Sequence, residues 1–108
     1  MAELTTVSGG STNVNASLLG ADETSPQSIT LYVEGRFVLE VYASATSPTN
    51  FFLDVSLDGS TWIEGFDSWT STTKVKAGYM NAFPWVRLRS AAAGGAGDKV
   101  NLILTASG

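Results

Sequence analysis

From residue 28 onward, apolar side chains recur at every second position, broken by turn residues roughly every ten positions. Ile29, Leu31 and Val33 alternate with Ser28, Thr30 and Tyr32. The same beat runs through Phe37, Leu39 and Val41, then through Phe51, Leu53, Val55 and Leu57. It returns at Val86 and Leu88, and again at Val100, Leu102 and Leu104. Successive side chains of an extended strand point to opposite faces, so this pattern buries one face and wets the other. No window carries sustained helical spacing; Ala91-Ala92-Ala93 runs straight into Gly94-Gly95, which ends a helix. The expected fold is all-β, an antiparallel β-sandwich of jelly-roll or Ig-like type with seven to nine strands.

The punctuation suggests how the strands connect. Asp58-Gly59 is a hairpin turn signal, and Glu34-Gly35 suggests a second hairpin. Ser44 to Asn50, rich in Ser, Thr and Pro, reads as a loop, as does the small-residue stretch 91–97. Residues 1–27 are polar and small, interrupted by apolar islands at Leu4 to Val7 and Val14 to Leu19. They are expected to form an extended N-terminal arm docked on neighbouring subunits, with 28–108 as the sandwich domain. A chain of 108 residues supports one modest core.

Composition narrows the chemistry more than it narrows the fold. His and Cys are absent, which removes the usual general base, the thiol and the common zinc ligands. Neither a catalytic residue, a cofactor nor a metal is expected. Six basic against ten acidic residues leave a net charge of −4, unlike the basic patch of a nucleic-acid binder. Arg87 and Arg89 are two arginines beside an aromatic, not a stripe. No apolar run approaches a membrane span, and the opening Met-Ala-Glu-Leu-Thr-Thr lacks the basic and apolar regions of a signal peptide. The expected partners therefore include neither nucleic acid nor membrane, and the product is expected to stay in the cytoplasm where it is translated.

Two patterns imitate chemical sites. Asp54, Ser56, Asp58 and Gly59 sit like the opening of a calcium loop, but position 12 is Gly65 instead of a bidentate Glu. A hairpin with a solvated acidic face explains the same residues. Asp54, Asp58, Glu64 and Asp67 cluster as paired glycosidase acids would, yet a charged hairpin edge that discourages edge pairing is the simpler reading.

The aromatics divide by neighbourhood. Phe37, Phe51 and Trp62 fall where a core needs them, whereas Trp69 stands among Asp67, Ser68, Thr70 and Ser71, and Tyr79 and Phe83 flank a turn. Leu4, Val7, Val14, Leu18, Trp69, Tyr79 and Phe83 are the candidate interface residues, with a sugar-stacking platform on Trp69 or Tyr79 as the alternative.

Ser56-Leu57-Asp58-Gly59-Ser60-Thr61-Trp62 resembles the Asp-box, shortened by one residue between Asp and Gly. The resemblance implies a non-catalytic hairpin stabilised by Ser56, Asp58, Gly59 and Thr61, with Trp62 packed beneath the turn. More broadly, residues 37–106 resemble small β-sandwich proteins of tailed bacteriophage virions. The likeness lies in Val55 to Trp62, then Pro84-Trp85-Val86-Arg87-Leu88-Arg89, then the Gly94–Gly97 loop and the final strand Val100 to Leu104. It implies a virion protein of the capsid decoration (cement) type, trimeric, bound to the major capsid protein on the capsid surface. A carbohydrate- or receptor-binding module of a fibre, or a neck or tail component, is the alternative.

Overall fold

The computed structural model describes residues 6–8, 13–34, 37–81 and 83–107. Its strands are β1 (Thr6–Ser8), β2 (Asn13–Asp22), β3 (Gln27–Glu34), β4 (Phe37–Ser56), β5 (Trp62–Asn81), β6 (Trp85–Ser90) and β7 (Lys99–Ser107). The all-β expectation holds: no helix occurs among the described residues. Pairing is antiparallel throughout, except that β1 lies parallel to β3.

The architecture follows from the length of β4 and β5, each 20 residues. A straight strand of that length would span about 66 Å, yet the longest dimension of the molecule is 41 Å. Both strands therefore bend, and β4 joins two half-sheets. Its first half, Val38 to Ala45, pairs with β7, which in turn pairs with β2. Its second half, Phe51 to Ser56, pairs with β6, which continues to β3 and β1. β5 follows β4 along its other edge across both halves. β3 of one half comes close to β2 and β7 of the other, so the layers face one another across the core.

The bend lies where a loop was expected. Ser44 pairs with Thr73 and Thr49 with Ser71, so residues 45–48 of β4 face a single residue of β5. Pro48, which has no N–H for the ladder, sits inside this irregularity, where a donor is not needed. The Ser/Thr/Pro composition marked a break in the pairing but not the end of the strand.

Two other expectations change. Among the described residues β3 does not pair with β4; it lies between β1 and β6, so these two strands are not the hairpin that was expected. Of the stretch 1–27, Asn13–Asp22 is strand β2 of the chain's own sheet, paired with β7 from Asn13↔Ser107 to Asp22↔Lys99. Ala16 is buried in the core and Leu18 packs against it, so even a polar strand keeps an apolar face. That face falls within the apolar island at Val14 to Leu19.

The alternation is otherwise realised side chain by side chain. Ile29, Leu31, Val33, Leu39, Val41, Phe51, Leu53, Val86, Leu88, Val100, Leu102 and Leu104 form one buried cluster. Leu57 departs from the pattern because the strand has ended before it, and it is 72% exposed.

Candidate functional site

Three surface structures lie outside the core: the β4–β5 turn, an ion cluster on the outer face of β4 and β6, and a polar knot at the β4 bend.

The turn runs from Ser56 to its partner Trp62. Ser56 Oγ donates to Thr61 O at 2.6 Å and accepts from Gly59 N at 3.0 Å. Asp58 Oδ1 accepts from Ser60 N at 2.8 Å and from Thr61 N at 2.7 Å. These amide donors hold the Asp58 carboxyl at about 2, below its ordinary range. Gly59 has φ 79°, and a Cβ there would lie 2.7 Å from the Trp85 ring. The ring against the turn is thus Trp85, from β6, while Trp62 lies under Arg87, whose guanidinium carbon is 4.2 Å from its ring centroid. Around the turn, three large apolar side chains face outward: Leu57, Ile63 at 50% exposure and Phe66 at 52%. Leu57 and Ile63 share a hollow of about 370 Å³ with Asp58 and Thr61.

Asp54 is fully buried, not part of a solvated acidic face. Its register partner on β6 is Arg87, with Arg89 two residues further along the same face. Arg87 Nε and Arg89 Nε donate to Asp54 Oδ2 at 2.8 and 2.6 Å, and Gly65 N donates to Oδ1 at 2.9 Å. One carboxylate thereby ties β4, β5 and β6 together, and its oxygens are occupied by these donors instead of standing open to a cation. Burial pushes the Asp54 carboxyl up, but the hydrogen bonds from Arg89, Gly65 and Arg87 outweigh it and hold the group below its ordinary value. Glu64, exposed, reaches Arg87 Nη2 at 3.3 Å. The Arg89 guanidinium lies 4.2 Å from the Phe52 ring centroid, so each arginine is fixed by an aromatic ring and by Asp54.

The knot was not visible in the sequence. Glu23, only 1% exposed, accepts from Ser47 N with both carboxylate oxygens, at 3.0 and 3.2 Å. Ser47 Oγ donates to Asp98 Oδ2 at 3.0 Å, which also accepts from Gly95 N at 2.9 Å. Ala93 N donates to Glu23 O, and Glu23 N to Asp98 O. The bend of β4, the β2–β3 turn and the 91–98 loop close on one another through these bonds. Gly94, with φ 71°, leaves the space that Asp98 fills.

Of the sequence-expected interface residues, Leu18, Trp69 and Phe83 have described side chains. Trp69 is half-buried against the core, its ring centroid 5.9 Å from that of Phe51. Leu18 is likewise packed on the core. Phe83 is half-buried and meets Phe66 edge-on at 5.9 Å. Leu4 lies outside the described residues, as do the side chains of Val7, Val14 and Tyr79. The exposed Leu57, Ile63 and Phe66 were missed. Leu57 followed the apolar alternation of its strand, and Ile63 and Phe66 belonged to a partner strand whose faces the turn had not yet assigned. No group of three or more potential metal ligands occurs among the described residues.

No protein-family model matches the chain, and no curated protein matches it. Among solved structures, the pre-peptidase C-terminal domain of collagenase from Bacillus anthracis is 11% identical, with a TM-score of 0.52 over 94% of each chain. A CBM4 structure is 15% identical, with a TM-score of 0.39 over 86% of this chain and 70% of that one. At such identities the likeness concerns the fold alone. The chain is an all-β, sandwich-like domain.

Proposed function

We propose that the chain is a structural protein of a bacteriophage virion, a capsid decoration protein that works by contact and carries out no reaction. The observation that carries this reading is the outer side of the β4–β5 hairpin. Among the described residues β5 pairs only with β4, which leaves a 20-residue strand with one open edge. Beside that edge stand the exposed Leu57, Ile63 and Phe66. An open edge next to apolar side chains invites association unless another surface covers it. The low share of charged residues, 15%, lets such a surface be buried without stranding many ions. In this reading the hairpin packs against copies of the chain in a trimer and against the shell of major capsid protein. The shell is stabilised by mass action because the protein binds only the assembled lattice.

The test adds purified protein to bare capsids and follows co-sedimentation and the melting temperature of the shells. The expected result is binding, with a higher shell melting temperature, both lost in the double variant Ile63→Asp/Phe66→Asp while the free protein keeps its own melting temperature. Protein that stays in the supernatant, or binds shells without stabilising them, would overturn the decoration reading and favour a fibre, neck or tail component.

A further inference from the structure

A second surface, on the opposite edge of β6 from β4, has the makings of a ligand site. A cleft of about 380 Å³ opens where β3 begins and β6 ends, lined by Pro26, Gln27, Ser28, Arg87, Arg89 and Ala91, among others. We infer that this cleft binds a single carboxylate carried by a small acidic sugar, held by the outward edges of Arg87 and Arg89.

Preorganisation is the first argument. Both arginines donate Nε to the buried Asp54, and each guanidinium lies over an aromatic ring. Their planes are therefore fixed before any ligand arrives, which removes much of the side-chain ordering that binding otherwise has to supply. Arg89 Nη2 reaches only to Asp54 Oδ1, at 3.4 Å, and Nη1 of either arginine has no partner among the described residues. Those donors are left for a planar acceptor, and the guanidinium fork matches a carboxylate in two parallel bonds.

Charge is the second. Two guanidinium groups face one buried carboxylate, and the other counter-ion, Glu64, is a 66% exposed side chain at 3.3 Å. The cluster therefore has one positive charge balanced only by a side chain that can swing away. A chain of net charge −4 repels a long polyanion, so a ligand with one negative charge suits it better than nucleic acid or a sulfated polymer.

The walls supply the third. Pro26, Ala91 and Ala92 offer a flat apolar patch for the C–H face of a pyranose, and Ser28 and Gln27 offer hydrogen-bonding groups for its hydroxyls. Gln27 Nε2 already donates to Asp22 O at 3.0 Å, which steadies its amide. A cleft of this size holds one sugar ring and little more.

The inference stands apart from the virion reading, since neither surface uses the other's residues. The experiment titrates the ¹⁵N-labelled protein with D-glucuronate, following the Nε–H resonances of its arginines, with D-glucose, acetate and inorganic phosphate in parallel. Glucuronate is expected to shift the Arg87 and Arg89 resonances saturably, and acetate, phosphate and glucose to bind at least about tenfold more weakly. Ala92→Leu, on an exposed rim, is expected to fill the cleft and abolish the shift without changing the melting temperature. Glu64→Gln is expected to raise glucuronate affinity a few-fold by removing the competing carboxylate. Equal binding of acetate or phosphate, equal binding of glucose, persistence in Ala92→Leu, or no shift at all would each overturn the inference.

Discussion

Among the described residues two carboxylates are buried, Asp54 and Glu23, and they are met by different partners. Asp54 meets cations: Arg87 and Arg89 on the neighbouring strand share its Oδ2. Glu23 meets a backbone amide, Ser47 N, where the β4 strand breaks its pairing. The first lies in regular register on its β6 side, opposite Arg87, and at a shift of register on its β5 side; the second joins a turn, a bend and a loop. Both acids take an amide freed by a break in the β4–β5 ladder, and the contrast lies in the two cations that the regular β6 side adds to Asp54 alone. Where the ladder is regular a strand face offers side chains, so Asp54 takes two cations from β6, and its one backbone donor, Gly65 N, comes from the irregular stretch of β5. A bend frees amides from the ladder, so a buried acid there can be met by N–H groups.

The sharpest way to break the comparison is Asp54→Ala. It leaves two arginines facing each other without their shared anion, and it is expected to lower unfolding free energy by about 3 kcal/mol, because both arginines keep some contact with water. Chemical denaturation checks this, and the triple variant with Arg87→Ala and Arg89→Ala should recover part of the loss. Glu23→Ala removes an acceptor but strands only a neutral amide and a hydrogen-bonded bend, and about 2 kcal/mol is expected in the same measurement. A loss larger than that of Asp54→Ala would reverse the ranking of cation-held over amide-held acids. Gly94→Ala tests the knot from the loop side. Its φ of 71° and the 2.5 Å approach of a Cβ to Asp98 Oδ2 predict a loss of about 1–2 kcal/mol, read as a lower melting temperature.

The smallest effect near neutrality appears in acid. The folded chain holds Asp54 and Asp58 ionised below the pH at which the unfolded chain protonates them, the latter to about 2. Unfolding therefore takes up protons there, and the stability that both groups contribute above their ordinary value of 3.8 is lost as pH falls below it, for Asp58 down to about 2. In Asp54→Asn the decline over that window should be shallower, because one of the acids held below its ordinary value is gone. An unchanged acid slope would show that the Asp54 cluster does not govern acid stability.

Much of this could be read in the residues before any fold was known. The alternation of Val86 and Leu88 with Trp85, Arg87 and Arg89 placed both arginines on one outer face, and burial follows it residue by residue. Ser56, Asp58 and Gly59 marked a turn whose hydrogen bonds are all local, within five residues. What escaped was long-range. Asp54 and Arg89 are 35 residues apart, and Ser47 and Glu23 are 24 apart. Nothing in one chain's spacing announces that such positions share a register. The exposed Leu57, Ile63 and Phe66 escaped because they flank a turn and a shift of register, where alternation no longer assigns faces.

By itself, then, the amino-acid order determined strands, their inward faces, the Asp58-Gly59 turn and the lack of the side chains most catalysis uses, because each depends on neighbours a few residues away. The tertiary structure decided which strands lie side by side, that β4 bends instead of stopping, that β2 joins the sheet and that Asp54 is buried between arginines. Pairing between distant segments is selected by the packing of the whole core and by ladder register, and both are properties of the closed sheet.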